Sequence, residues 1–147
     1  MLTINKLIVG NLEICDLPDL KIKNLHIRVD TGAKTSSLHV DNLTPFNKDT
    51  QSWIRFDIHP DVHDVVRIIQ CESLIHDQRP IKSSNGAAEE RYVIQTLFCL
   101  GDESWPIQIT LTDRSDMSYL MLLGREGMSN KLLVDPSKKF LVNAKNK

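Results

Sequence analysis

The chain has 147 residues, 41% hydrophobic and 25% charged, with 18 Lys and Arg against 19 Asp and Glu for a formal net charge of -1. This is the ordinary globular average at a length suited to one domain of about 100–150 residues, which argues against a disordered, collagen-like or two-domain chain. The basic residues are scattered, so no nucleic-acid footprint is expected, and no apolar run suits a signal peptide or a spanning helix of about 20 residues, so the expectation is a cytoplasmic protein without a membrane.

Apolar residues recur with a period of two or in short runs bounded by turn residues, and hardly anywhere at helical spacing. Strands are expected at 6–14, 21–29, 53–58, 65–72, 92–100, 105–112, 121–123 and 132–134, with a last one at 139–142. Between them lie turn clusters such as His59-Pro60-Asp61, Ser83-Ser84-Asn85-Gly86, Gly101-Asp102-Glu103 and Asp135-Pro136-Ser137. In these, Gly and Asn accept positive φ and Pro fixes the first corner. The runs flanking Gly101 read as one hairpin, and 124–130 is the only stretch suited to a short helix. An all-β fold follows, a small barrel or sandwich, in a single domain over 1–147 with its core at about 6–142. Cys15, Cys71 and Cys99 are odd in number, widely spaced and without a Cys-x-x-Cys, so they are expected as reduced thiols partly in the core.

One segment carries chemistry. In Val29-Asp30-Thr31-Gly32-Ala33-Lys34-Thr35-Ser36-Ser37-Leu38-His39, a carboxylate stands where an apolar strand ends. Asp30 rides on a rigid strand end, Thr31 can brace the turn, and Gly32 permits close backbone approach with its N–H free for the carboxylate. Burying a carboxylate costs several kcal/mol unless it is paired, so structure alone would place it poorly here. A second apolar strand, Tyr119-Leu120-Met121-Leu122-Leu123, runs into Gly124-Arg125-Glu126.

Together with Ser83-Ser84-Asn85-Gly86-Ala87-Ala88-Glu89-Glu90-Arg91 and Trp105-Pro106-Ile107-Gln108-Ile109-Thr110-Leu111-Thr112, these segments follow one another in order and carry a similarity that extends over about 6–142. The sequence resembles a bacterial family labelled ATP-dependent zinc protease and also described as retropepsin-like aspartic endopeptidase. The resemblance implies a closed retropepsin-like β-barrel with at most one short helix, and an aspartic peptidase or amide hydrolase in which Asp30 of each chain of a homodimer forms a dyad on the two-fold axis. It further implies that Thr31, Gly32 and Ala33 lock the loop, that Leu123, Gly124 and Arg125 form a backing strand, and that Ser83, Ser84, Asn85 and Gly86 tip a flap. Many retroviral relatives carry an Asp where Lys34 stands, and Lys34 is expected to find a carboxylate such as Glu126. The two chain ends are expected to interleave at the dimer interface. The family's association with ATP-grasp amino-acid ligases implies such a partner and a peptide or amide-linked, glutamyl substrate.

No cofactor is expected from the residues themselves. There is no His-Glu-x-x-His, and His26, His39, His59, His63 and His76 are spread along the chain, so zinc is not supported; nor is ATP, since the phosphate-cradling Gly-x-x-x-x-Gly-Lys motif is missing. Met117, Met121 and Met128 are expected as core or interface filler, and Trp53 and Trp105 as core or pocket wall. The rival readings are a non-catalytic peptide-binding module of the same fold and a metal-dependent hydrolase.

Overall fold

The computed structural model describes residues 6–59, 67–82, 86–113 and 119–144. Its strands are β1 (Leu7–Val9), β2 (Leu12–Leu17), β3 (Ile22–Val29), β4 (Ser36–His39), β5 (Asp41–Lys48), β6 (Gln51–Ile58), β7 (Ile69–Leu74), β8 (Asp77–Lys82), β9 (Ala88–Leu100), β10 (Glu103–Thr112), β11 (Met121–Leu123) and β12 (Leu132–Val134). Helix is confined to a 3₁₀ turn at Pro18–Leu20 and two single turns, α1 (Arg125–Met128) and α2 (Leu141–Ala144). One sheet runs β10-β4-β11-β3-β2-β9-β8, and because β9 also pairs with β10, six of its strands close into a barrel. The expected closed all-β barrel is therefore present. Strand β8, with Pro80 in it, hangs from β9 as an edge, where a missing N–H breaks no ladder.

A three-stranded sheet, β5-β6-β7, stands beside the barrel. Strand β6 alternates strictly: Ile54, Phe56 and Ile58 are fully buried and join Cys71 of β7 in the same apolar cluster as barrel residues Ile27, Leu38, Ile94 and Phe98. Trp105 and Met121 are core, as their sequence contexts suggest, whereas Met117 and His63 lie outside the described residues.

Several boundaries differ from the sequence expectation for physical reasons. The run 6–14 is two strands, broken where the Gly10 backbone lies against the Lys138 carbonyl so closely that no side chain fits. Strand β1 pairs in parallel with β12, Leu7 opposite Leu132, so this part of the N-terminal segment is bound within the chain. The strand expected at 139–142 is instead the α2 turn: the Glu13 carboxylate accepts the Leu141 and Val142 N–H groups at 2.9 and 3.3 Å, satisfying helix-start donors that a strand would not present together. Strands β4 and β5, too polar to be read from apolar alternation, were not expected at all. The strand expected at 65–72 is β7, displaced to Ile69–Leu74, with 60–66 outside the described residues.

Candidate active site

Asp30 leaves the C-terminal end of β3, and the chain at this point is fastened to the next strand in the barrel. Its N–H donates to the Leu123 carbonyl at 2.9 Å, continuing the parallel β3–β11 ladder by one residue. The loop 30–35 is then stitched to the segment after β11: the Arg125 N–H donates to the Ala33 carbonyl (2.8 Å), the Glu126 N–H to the Lys34 carbonyl (3.0 Å), and Arg125 Nη1 to the Thr31 carbonyl (3.0 Å). Beneath them the Gly124 N–H donates to Ser36 Oγ at 3.0 Å, and Ser36 is buried. Gly124 is obligatory here by contact rather than by dihedral, since a Cβ would lie 2.5 Å from the Thr35 carbonyl carbon and oxygen. Leu123, Gly124 and Arg125 thus lie beside the loop that carries Thr31 and Ala33, and Leu123 and Arg125 hydrogen-bond to it.

The carboxylate itself is half-buried. Oδ1 accepts the Gly32 N–H at 2.9 Å, and a side chain at Gly32 would crowd that oxygen at 3.2 Å. Oδ2 accepts from no group among the described residues. One oxygen is therefore fixed by the loop and the other is left without a donor among the described residues, while Thr31 and Gly32 are exposed beside it. A groove of about 380 Å³ opens at this point, lined by Asp30 and Thr31 together with Arg28, Lys139, Tyr119 and the Asn11-Leu12 backbone region. Two cations, Arg28 and Lys139, thus share its wall. A larger open groove of about 630 Å³, lined by Gln51, Ser52, Leu74, Ile75, His76 and Gln95, contains no part of the Asp30 loop.

Two expectations are corrected or left apart. Among the described residues Lys34 makes no ion pair with Glu126 or any other carboxylate; the two residues meet through their backbones, and it is Arg125 that braces the loop, through a carbonyl. β8 and β9 form a hairpin, Lys82 opposite Ala88, and of the residues expected to tip a flap there Ser83, Ser84 and Asn85 lie outside the described residues, while Gly86 is exposed with φ of +86°.

Two sites escaped the sequence reading. Glu13 is fully buried, with Oε2 accepting the Gly10 and Leu141 N–H groups at 2.8 and 2.9 Å and Oε1 that of Val142. It anchors the 136–142 segment whose Pro136 and Lys139 wall the Asp30 groove. Histidines that seemed unrelated also meet carboxylates: His59 Nε2 lies 2.8 Å from Asp41 Oδ2, and His39, Asp41 and Asp113 gather their ligand atoms within 4.8 Å of one another. The only local signal was His39-Val40-Asp41, a spacing that puts two polar groups on one side of an extended chain.

Known proteins place this geometry in a family. The chain is 48% identical over 141 residues to a Shewanella pealeana protein named probable alpha-L-glutamate ligase, covering 96% of this chain and 31% of that protein. A Parasynechococcus marenigrum protein of the same name is 49% identical over 131 residues, 89% of this chain and 28% of the relative. The chain thus spans about a third of the length of the curated relatives it matches. A Legionella pneumophila crystal structure of unknown function superposes with a TM-score of 0.78 at 29% identity, covering 92% of this chain and 97% of that one. Among the described residues no helix is long and apolar enough to cross a membrane. Residues 8–145 match the family described as retropepsin-like aspartic endopeptidase RimB, and the chain belongs to this RimB-like family.

Proposed function

We propose that the protein is an aspartic peptidase or amide hydrolase that works as a homodimer, with Asp30 of each chain forming the catalytic dyad. The observation that carries this reading is the split state of the Asp30 carboxylate, which lines the groove: Oδ1 is held by Gly32 while Oδ2 accepts from no group among the described residues. A single fixed carboxylate is half of the machinery. Two of them about 3 Å apart cannot both ionise, so they share a proton and titrate as a pair. The ionised partner takes a proton from water, the protonated one polarises the scissile carbonyl, and the roles reverse as the tetrahedral intermediate collapses. The exposed Thr31 and Gly32 supply a surface on which the second copy can dock beside the first.

The substrate is a glutamyl peptide or amide. Arg28 and Lys139 on the groove wall complement a side-chain carboxylate, and the long relatives carry the name glutamate ligase, which supports a partner ATP-grasp ligase, fused or separate, whose product this domain trims. The test is mass-spectrometric cleavage of a peptide library rich in glutamyl bonds, alongside sedimentation over a dilution series. Asp30→Asn should lower the rate by about 10²–10⁴-fold without changing fold or dimer. Specific activity should fall as the dimer dissociates on dilution. Hydrolysis that survives in Asp30→Asn, or that is constant down to concentrations where the chain is monomeric, refutes the dyad.

The relatives' names favour one second reading, a substrate-holding module for the ligase in which Asp30 accepts a hydrogen bond from the peptide backbone. In that case the wild type binds glutamyl peptides without cleaving them, and Asp30→Asn weakens binding only modestly.

A further inference from the structure

The cluster of His39, Asp41, His59 and Asp113 is built from chain ends that only the tertiary fold brings together. Strands β4 and β10 run in parallel with His39 opposite Thr112, so His39 and Asp113 leave the barrel side by side. Asp41 opens β5 two residues later, and its register partner on β6 is Asp57, two residues before His59. The barrel and the three-stranded sheet are thus joined at this corner by four ionisable side chains. His39 lies three residues along β4 from Ser36, roughly 10 Å, so the corner is separate from the Asp30 loop that Ser36 supports.

The two oxygens of Asp41 are used differently. Oδ2 is 2.8 Å from His59 Nε2, and His59 Nδ1 is buried with no partner, so the ring proton sits on Nε2 and is donated to the carboxylate. Oδ1 points toward His39 Nε2 at 3.9 Å, beyond the 2.7–3.2 Å of a hydrogen bond. An imidazole nitrogen and a carboxylate oxygen facing each other at that spacing, with the Asp113 carboxylate within 4.8 Å of both, suit a shared ion better than each other. Around tetrahedral zinc, with bonds of about 2.0–2.2 Å, ligand atoms lie roughly 3.3 Å apart. Reaching that spacing takes small side-chain rotations of His39 and Asp41, now 3.9 Å apart, as well as of the exposed Asp113.

We infer that His39 Nε2, Asp41 Oδ1 and Asp113 form a binding site for a divalent transition ion, zinc being the best match to one imidazole and two carboxylates, with His59 orienting Asp41 from behind. A ligating carboxylate held by a hydrogen bond on its other oxygen is the usual outer support of such a site. The ion fastens the three-stranded sheet to the barrel and takes no part in hydrolysis at Asp30. It binds the folded chain only, so it raises thermal stability.

The test uses the full chain stripped with chelator and titrated with Co²⁺, then Zn²⁺, with absorption and melting temperature as readouts. One equivalent should bind, giving the visible bands of a nitrogen–oxygen site without the thiolate charge-transfer band that Cys15, Cys71 or Cys99 would add. Zinc at about one hundred times its Kd should raise the melting temperature by roughly 5–10 °C. Asp113→Asn, on an exposed side chain, should weaken binding at least ten-fold with an unchanged metal-free melting temperature, and His59→Gln should weaken it less. Asp30→Asn and Cys99→Ser should bind as wild type. Failure of the wild type to bind, a thiolate band, equal binding by Asp113→Asn, or loss in Asp30→Asn would each overturn the assignment. None of these readouts depends on hydrolysis.

Discussion

Replacing Glu13 by Ala tests how a buried carboxylate supports the groove from behind. Glu13 has no exposed surface, and its two oxygens accept three backbone N–H groups, from Gly10, Leu141 and Val142. A hydrogen bond to a charged acceptor contributes about 1.5–3 kcal/mol, and a buried donor left without a partner costs about 1–3 kcal/mol. Simple addition overshoots, because the α2 turn can open and admit water to two of the three donors. A net loss of about 3–5 kcal/mol remains, a large share of a total of about 5–15 kcal/mol. Urea unfolding at neutral pH, followed by circular dichroism, should show the midpoint falling in proportion with little change in slope, and the melting temperature should drop by roughly 10 °C. Because Glu13 holds the segment that brings Pro136 and Lys139 to Asp30, hydrolysis should fall further than stability predicts under conditions where the variant is still folded. Glu126→Ala, on an exposed side chain, is the control and should stay within about 0.5 kcal/mol. A Glu13→Ala loss below about 1 kcal/mol would mean the carboxylate does not anchor the C-terminal segment.

Two further outcomes follow from contacts already described. Gly124→Ala should cost about 1–3 kcal/mol or more, since its Cβ meets the Thr35 backbone at 2.5 Å and backbone cannot rotate away; a variant with wild-type melting temperature and hydrolysis would contradict the tight β11–loop contact. Thiol reactivity should be ordered by burial: desolvation pushes Cys71 up to about 11 and Cys15 higher still, while the less buried Cys99 is raised to a smaller degree. A raised thiol stays protonated until the pH approaches its folded value, and only the thiolate attacks. A disulfide reagent should therefore label Cys99 first at pH 8, reach Cys71 in the native state only toward pH 11 and reach Cys15 only on unfolding, and rapid native-state labelling of all three at pH 8 would refute this ordering.

How much was legible in the sequence depended on whether a residue's role was local. Strand β11 at Met121–Leu123 and β12 at Leu132–Val134 have the expected limits, and Trp105 and Met121 are core, because short apolar runs report burial directly. Apolar alternation does not report the inward face of β2, where apolar Leu12 and Ile14 are only half-buried and the inward set is Glu13, Cys15 and Leu17. A glutamate on an alternating strand reads as the solvent side; only the backbone donors arriving from Gly10 and, far along the chain, 141–142 make it an interior residue. Strands β4 and β5 failed for a related reason. Ser36–His39 is buried through polar Ser36 and Ser37, and β5 is an edge containing Pro45, so neither carries apolar alternation. The Asp30 loop, by contrast, is a local device, and the contact between Gly32 and the carboxylate is the one its sequence suggests.

Glu13 and Asp30 together show why burial of a carboxylate is by itself a poor guide to chemistry. The argument that an interior acid is a bad structural choice holds only when its oxygens lack donors. Glu13 has both oxygens engaged by backbone groups and no exposed surface, so nothing outside the chain can reach it. Asp30 is less buried, yet among the described residues only Oδ1 is held, by the residue two positions on, and the bond from its N–H to Leu123 fixes the backbone that carries it. That leaves an acceptor without a donor on a residue lining a groove walled by two cations. The fold therefore spends three donors to keep one carboxylate inert and withholds them from the other, and it is the withheld donors that a second Asp30, a water or a peptide must supply.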